Sequence, residues 1–140
     1  MKLEKFMCDV TKTLVKGKRV IFRRCGEGKL FITVNNYFGI IILENANIFN
    51  YPISGSFPIP ADWNCHEIKS MLVAEVDGKR LLRVFKGEFG ETRLDDKFLK
   101  YFSNDAKAYQ TKENGCVYIS EGGILCGAIM PARYEGGRNE

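Results

Sequence analysis

The sequence has little of the chemistry that metal-dependent and nucleophilic enzymes use. Its 140 residues contain one histidine, which lies in the tripeptide Cys65-His66-Glu67. A metal site needs three or four converging ligands, and a zinc deaminase needs a paired-cysteine segment that is missing here. Adjacent residues on a helix do not face each other, so Cys65 and His66 do not form a nucleophile and base pair. The sequence predicts no catalytic residue, no metal site, no cofactor and no enzymatic activity.

Long apolar runs are missing as well. No run approaches the roughly 20 apolar residues that a membrane span needs, and the charged segment MKLEKFMCDVTK lacks the apolar stretch of a secretory signal. We therefore expect a cytoplasmic protein with no membrane partner. The five cysteines are odd in number and irregularly spaced, which favours buried free thiols, with Cys8 and Cys126 inside apolar patterns. The net charge of +4 permits an anionic partner without requiring one.

The first third of the chain predicts a helix followed by three strands. A helix over residues 2–16 ends at Gly17, a typical C-cap residue, and its apolar stripe consists of Leu3, Phe6, Met7, Val10 and Leu14. The strand-like runs KRVIFRR, KLFITVNN and YFGIIILE follow, with CGEG as a hairpin turn because it lacks the spacing of a phosphate loop. The last run is apolar on both faces, which predicts a central or helix-covered strand.

The middle of the chain is less regular. Residues 44–60, with the stretch NANIFNYPISGSFPIP, are interpreted as an irregular connector because three prolines interrupt the pattern. ADWNCHEIKSML predicts a short helix, and MLVAEV-DG-KRLLRVF predicts a hairpin that turns at Asp77-Gly78. An aromatic group in and after the connector either stacks on nucleic-acid bases or holds the connector over the core; its members are Phe49, Tyr51, Phe57 and Trp63.

The final third repeats the order of the first. LDDKFLKYFSND predicts a helix over residues 94–104, with Asp95 as N-cap and Leu94, Phe98 and Phe102 on its buried face. AKAYQT, CVYIS and ILCGAIM follow as three strands separated by the turns KENG and EGG. Two units of one helix and three strands predict an α+β fold with antiparallel sheets and a pseudo-two-fold between the units, in a single domain over residues 1–134 with a polar tail at 135–140.

Three stretches together resemble the DNA sliding-clamp family, the processivity rings of replicative polymerases. GKLFITVNN is similar to a clamp strand with a polar continuation, and RLDDKFLKYFSND is similar to the helix before the last three clamp strands. The run Ala128-Ile129-Met130-Pro131-Ala132-Arg133 resembles the Met-Pro-Met-Arg-Leu-like ending of the bacterial β clamp, with Ala132 in place of the second methionine. The similarity spans residues 1–44 and 79–134 and implies a single clamp-like domain, so that a ring would need several copies.

The resemblance implies two binding surfaces. In clamps the helices line the inner, DNA-facing surface, so the DNA-facing residues here would be Lys2, Lys5, Lys12, Lys16, Lys97 and Lys100, with Asn104 beside the last two. Lysines on one helix face suit a phosphate backbone, although they equally suit a solvated helix face. The resemblance also places a pocket for short peptide motifs of replication proteins at Ala128, Met130, Pro131 and Arg133, where Pro131 alternatively only ends a core strand.

These observations lead to three functional hypotheses. The first is a non-enzymatic, clamp-like module that associates with double-stranded DNA or with protein partners, assembles as a homo-oligomer and belongs to DNA replication, as in a phage or mobile element. The second is an α+β protein interaction domain with no nucleic-acid function, whose lysines only solvate the helices. The third is a small enzyme whose site is not readable from the sequence.

Overall fold

The computed structural model describes residues 1–35, 37–46, 52–57 and 65–133. The helices are α1 (Leu3–Val15) and α2 (Asp96–Leu99), with a single 3-10 turn at Glu44–Ala46. The strands are β1 (Ile21–Gly26), β2 (Lys29–Thr33), β3 (Phe38–Leu43), β4 (Ile53–Ser56), β5 (His66–Asp77), β6 (Arg80–Gly87), β7 (Gly90–Asp95), β8 (Lys107–Gln110), β9 (Val117–Glu121) and β10 (Ile124–Ile129).

The strands form one ten-stranded sheet in the order β4-β1-β2-β3-β10-β9-β8-β5-β6-β7. All neighbours are antiparallel except β1 and β4, which are parallel. The triplet that follows α1 meets the triplet that follows α2 at the centre, where Gly127 pairs with Ile40 and Ile129 with Phe38. The protein is therefore a mixed α and β fold, mostly strand, in which the strands of the two predicted units join in one continuous sheet.

The main core lies between the two helices and one face of this sheet. Phe6 and Val10 of α1 are fully buried, and Phe98 of α2 packs into the same cluster as Phe38 and Ile40 of β3. Because alternate residues of a strand point to opposite faces, Phe38 and Ile40 define the side of the sheet that carries both helices. We call this side the helix-bearing face.

A smaller apolar cluster lies on the opposite side of the sheet. Phe31, Ile41, Tyr118 and Ala128 are buried there. The ring of Phe57 stacks on Phe31 with a centroid distance of 4.1 Å and an interplanar angle of 22°. Of the aromatic group in and after the connector, Phe57 thus covers the core, whereas Phe49, Tyr51 and Trp63 lie outside the described residues.

The first helix and the strand order around it are confirmed, but the second helix is much shorter than predicted. Asp95 is its N-cap, with a carboxylate oxygen that accepts from the Lys97 amide at 3.1 Å. Leu94 belongs to strand β7, and the helix ends at Leu99. Beyond it the Phe102 amide bonds to the Leu99 carbonyl at 3.0 Å, a tighter turn than an α-helix makes. The predicted helix over residues 94–104 is therefore wrong in length.

The middle of the chain also differs from its prediction. From His66 onward, the stretch predicted as a short helix is the long strand β5, while residues 61–64 lie outside the described part. The connector contributes strand β4, an edge strand beside β1. The hairpin of β5 and β6 is confirmed, but Asp77 pairs with Arg80, so its turn is Gly78-Lys79.

Thiol burial is only partly as predicted, because Cys126 is buried whereas Cys8 is exposed on α1. None of the five cysteines forms a disulfide. Neither helix of the described residues is long and apolar enough to cross a membrane. The tail over 135–140 lies outside the described residues.

Candidate nucleic-acid interface

A groove runs between α1 and α2 on the helix-bearing face. Lys12 of α1 and Lys16, just after it, line one side, and Lys97 of α2 and Lys100, just after it, line the other. Lys18 closes the groove at the end of α1. The space between these side chains is about 290 Å³. We refer to it as the interhelical groove.

Aromatic rings form the floor of the groove and hold the two helices beside each other. Phe38 stacks on Phe98 at 4.8 Å and on Tyr101 at 5.3 Å between ring centroids. Phe6 of α1 meets Phe38 and Tyr101 edge-on, at 5.9 and 5.7 Å. Such offset and edge contacts fix ring orientation beyond simple burial. The spacing of the lysines on the rim is therefore set by a packed core.

Tyr101 joins the two helices directly. Its hydroxyl donates a hydrogen bond to the Asp9 carboxylate of α1, and its carbonyl accepts from the Lys2 amide at 2.8 Å. Burial raises the pKa of Tyr101 above its ordinary value, and the hydrogen bond to Asp9 and the negative charge of Asp9 raise it further. Tyr101 therefore stays protonated and neutral at physiological pH. Asp9, the acidic side chain of the groove lining, is engaged by this phenol.

The charge of the groove is consequently positive. Lys12, Lys16, Lys18 and Lys100 make no ion pair within the described part of the chain, and Lys97 lies 3.9 Å from Asp95. Asp96, the next acidic residue on α2, is paired with Arg83 at 2.9 Å and faces away toward β6. Ammonium groups that lack carboxylate partners remain free to bind an external anion.

Two further lysines predicted to face DNA lie beside this groove. Lys5 of α1 and Lys100, just after α2, each approach the Tyr101 ring with 5.9 Å between nitrogen and centroid. Lys2 lines a neighbouring cleft with Lys100. All six predicted lysines are thus on the helix-bearing face, four of them around the interhelical groove. Sequence reasoning missed Lys18, although its place directly after the C-cap glycine puts it at the end of a lysine-bearing helix.

The residues of the predicted peptide pocket are only partly brought together. Ala128 and Met130 line a cleft of about 180 Å³ on the side of the sheet opposite the helices, which we call the outer cleft. Pro131 is half-buried and does not line it. The backbone of Ala132 and Arg133 lies beside strands β6 and β7, because the Arg133 carbonyl accepts from the Arg80 guanidinium and the Ala132 amide donates to the Arg93 carbonyl at 2.8 Å.

The thiols and the histidine do not assemble into a reactive group. Burial raises the pKa of the Cys116 thiol to about 11 and also raises the pKa of the Cys65 thiol, so both are protonated at neutral pH. His66 instead contacts Glu88, with Nδ1 2.9 Å from a carboxylate oxygen. In the ranges the structure describes, no three His, Cys, Asp or Glu side chains are close enough to share a metal ion.

No protein-family model, no characterised protein and no solved structure matches the chain at a significant level. The function of the helix-bearing face therefore has to be inferred from its own residues and geometry.

Proposed function

We propose that the protein is a non-enzymatic, clamp-like module whose helix-bearing face binds the phosphate backbone of double-stranded DNA without reading its sequence. The single observation that carries the proposal is the interhelical groove. Lysines from both helices surround it, and Asp9, the acidic residue among the described residues of its lining, is hydrogen-bonded to Tyr101. Each ammonium group that contacts a phosphate releases a condensed counterion, which favours binding to any duplex sequence.

The arrangement of the fold supports the clamp-like part of the proposal. Both helices lie on one side of the sheet, each is followed by three antiparallel strands, and the two triplets meet where β3 pairs with β10. A face of this kind could line a ring if several copies of the chain assembled. Sedimentation of the purified protein with and without duplex DNA tests whether copies of the chain assemble. A monomer in both conditions would mean that the groove binds DNA without a ring around the duplex.

The outer cleft is the second binding surface of the proposed module, where short peptide motifs of replication proteins would insert an apolar side chain. Its support is the exposed thioether of Met130 beside buried Ala128 and Phe31 in one cleft. Met130→Ala combined with Pro131→Ala should preserve folding and weaken capture of such peptides. Unchanged capture by the double variant would reject this surface.

Charge reversal on α1 tests the DNA proposal. We expect the protein to bind a fluorescent duplex weakly, with equal affinity for unrelated sequences and a steep loss of affinity as salt rises. Lys5→Glu, Lys12→Glu and Lys16→Glu together should abolish this binding without unfolding the protein, because all three side chains are exposed. Fluorescence anisotropy measures the binding, and circular dichroism checks the fold.

The matched control keeps the same change in net charge. Lys29, Lys79 and Lys112 are exposed and line neither the groove nor its neighbouring cleft, so their replacement by glutamate should reduce affinity only slightly. Equal loss in both triple variants would mean that net charge alone attracts DNA. Full retention of DNA binding by the α1 variant would mean that these lysines only solvate the helix and do not contact DNA.

A further inference from the structure

A second and larger cleft lies on the helix-bearing face, between α2 and the strands β5, β6 and β8. Its volume is about 590 Å³, within the range of protein sites that enclose a ligand group. Its floor is apolar and comes from β6, α2, β9 and the turn after α2; the floor residues are Phe85, Leu99, Phe102 and Ile119. We call it the lateral cleft.

The rim of the lateral cleft is basic. Five cationic side chains surround it: Lys2, Lys69, Arg83, Lys100 and Lys107. Two carboxylates on the rim are already paired, Asp96 with Arg83 at 2.9 Å and Glu67 with Lys69 at 4.0 Å. Lys2, Lys100 and Lys107 make no ion pair among the residues described. Three of the five rim cations are therefore without a carboxylate partner, and an apolar floor inside a rim of net positive charge is complementary to a ligand that is both acidic and apolar.

Leu72 adds an exposed apolar side chain to this rim. It lies in the irregular stretch of β5 between Ser70 and Ala74, is 91% exposed and has a φ of 57°. A bulky residue in the left-handed region is strained, and such strain is concentrated at ligand-binding and switch positions. The Ser70 hydroxyl accepts from the Leu72 amide at 3.1 Å and so stabilises this conformation. The bulge therefore presents a leucine beside the cleft at a cost in backbone energy.

We propose that the lateral cleft binds an acidic peptide segment of a protein partner, with a large apolar side chain of the peptide inserted between Leu72 and the floor. Peptide is favoured over single-stranded nucleic acid because the floor rings are covered. Phe102 is 4% exposed and Phe85 is half-buried, so the floor offers little ring surface for base stacking. Lys100 lines both the lateral cleft and the interhelical groove, so bound peptide and bound DNA compete for it.

The test uses two synthetic probes with the same charge. One is a short acidic peptide with a central Leu-Phe pair, and the other carries Ser-Ser in place of that pair. Burial of two apolar side chains should make the Leu-Phe peptide bind about tenfold or more tightly by fluorescence anisotropy. Leu72→Gly should lower the affinity for the Leu-Phe peptide severalfold and leave the affinity for the Ser-Ser peptide unchanged. The melting temperature of this variant should stay the same or rise, because the backbone strain at residue 72 is relieved.

Charge variants separate this proposal from DNA binding. Lys69→Glu with Lys107→Glu should lower the affinity for the acidic peptide about tenfold or more. Lys79→Glu with Lys112→Glu, away from both clefts, should have little effect on this affinity. Lys12→Glu with Lys16→Glu should lower the affinity for duplex DNA and leave the affinity for the peptide unchanged. The peptide result can therefore be interpreted even if the DNA proposal fails. Equal affinity for the two peptides would overturn the proposal. Tighter binding of a single-stranded oligonucleotide that depends on Lys69 and Lys107 would overturn it in favour of nucleic acid.

Discussion

The two halves of the protein follow the same order of elements and hold their helices in different ways. Helix α1 has thirteen residues and an apolar stripe of its own, with Phe6 and Val10 fully buried and no side-chain bond at its N-cap. Helix α2 has four residues, an N-cap carboxylate on Asp95 that accepts from the Lys97 amide, and an irregular turn after it. In that turn the Ser103 amide donates to the Glu121 carboxylate at 2.7 Å.

The difference shows that one helix is specified locally and the other by its neighbours. An amphipathic helix of α1's length gains most of its stability by burying one stripe, which its own sequence encodes. A single helical turn is too short to be stable alone, so α2 depends on the N-cap, the aromatic floor and the contact of Tyr101 with α1. Both helices nevertheless supply lysines to the same groove.

The largest expected effect comes from breaking the strand at which the halves meet. Ile129 is 0% exposed and pairs with Phe38 across β3 and β10. Ile129→Asp should leave the chain unfolded at 25 °C, because an unpaired buried carboxylate costs several kcal/mol against a typical total stability of about 5–15 kcal/mol. Circular dichroism and a thermal melt measure this. Ile124→Asp, in the same strand at a position 65% exposed, should fold and melt nearly as the parent does. A cooperative melt of Ile129→Asp near that of the parent would contradict the burial assigned to β10.

A smaller effect is expected at the N-cap that distinguishes α2 from α1. Asp95→Ala removes the acceptor for the Lys97 amide and should lower the free energy of unfolding by about 1 kcal/mol. Asp95→Asn retains an acceptor oxygen and should lose only a fraction of that. Urea titrations of the three proteins decide between these outcomes, and equal stability of Asp95→Ala and the parent would mean that packing alone holds α2.

An effect no larger than that at the N-cap concerns the hydrogen bond from Tyr101 to Asp9 of α1, which makes stability depend on pH. Burial, followed by the bond to Asp9, raises the pKa of Tyr101 in the folded state above the ordinary 10.0. The unfolded chain loses this proton first, so the stabilisation is complete below the unfolded pKa and is lost as pH rises above it. Tyr101→Phe should therefore destabilise the protein by about 1 kcal/mol at pH near 8 and by less at pH near 11. Urea titrations at both pH values measure this effect, with Tyr37→Phe, at an exposed position, as the control. A loss of stability in Tyr101→Phe that is the same at both pH values would contradict the raised pKa of Tyr101.

The parts of the fold that sequence alone predicted are those with a strong local signal. The stripe of α1, the strands β1 to β3 and β8 to β10, and the Asp95 cap each depend on residues close together in the chain. The length of α2 could not be predicted, because Phe98 and Phe102 have helical spacing and are both buried in the main core, so the apolar pattern does not mark the residue at which the helix ends. Strand β4 could not be predicted either, because β1, its neighbour in the described sheet, lies far away in sequence.

The sequence predicted which lysines belong to the candidate site, but it did not predict the groove that they line. Lys12, Lys16, Lys97 and Lys100 follow from helix periodicity, but the groove between them depends on Phe38 stacking under α2. The lateral cleft had no sequence signal at all. Lys69 lies within a stretch predicted as helix, and Lys107 begins a strand. The antiparallel pairing of β5 with β8 places both residues beside the same cleft.

The most direct test of the central claim is the salt dependence of duplex DNA binding, measured separately for the lysines of each helix. Each lysine–phosphate contact contributes about 0.9 to the slope of log affinity against log salt. Lys12→Gln with Lys16→Gln should lower the slope by about 1.8, Lys97→Gln with Lys100→Gln by a similar amount, and all four together by about 3.6. Lys79→Gln with Lys112→Gln should leave it unchanged. A slope that stays at the parent value when either helix pair is neutralised, or that falls equally in the control, would contradict a DNA-binding groove built jointly by α1 and α2.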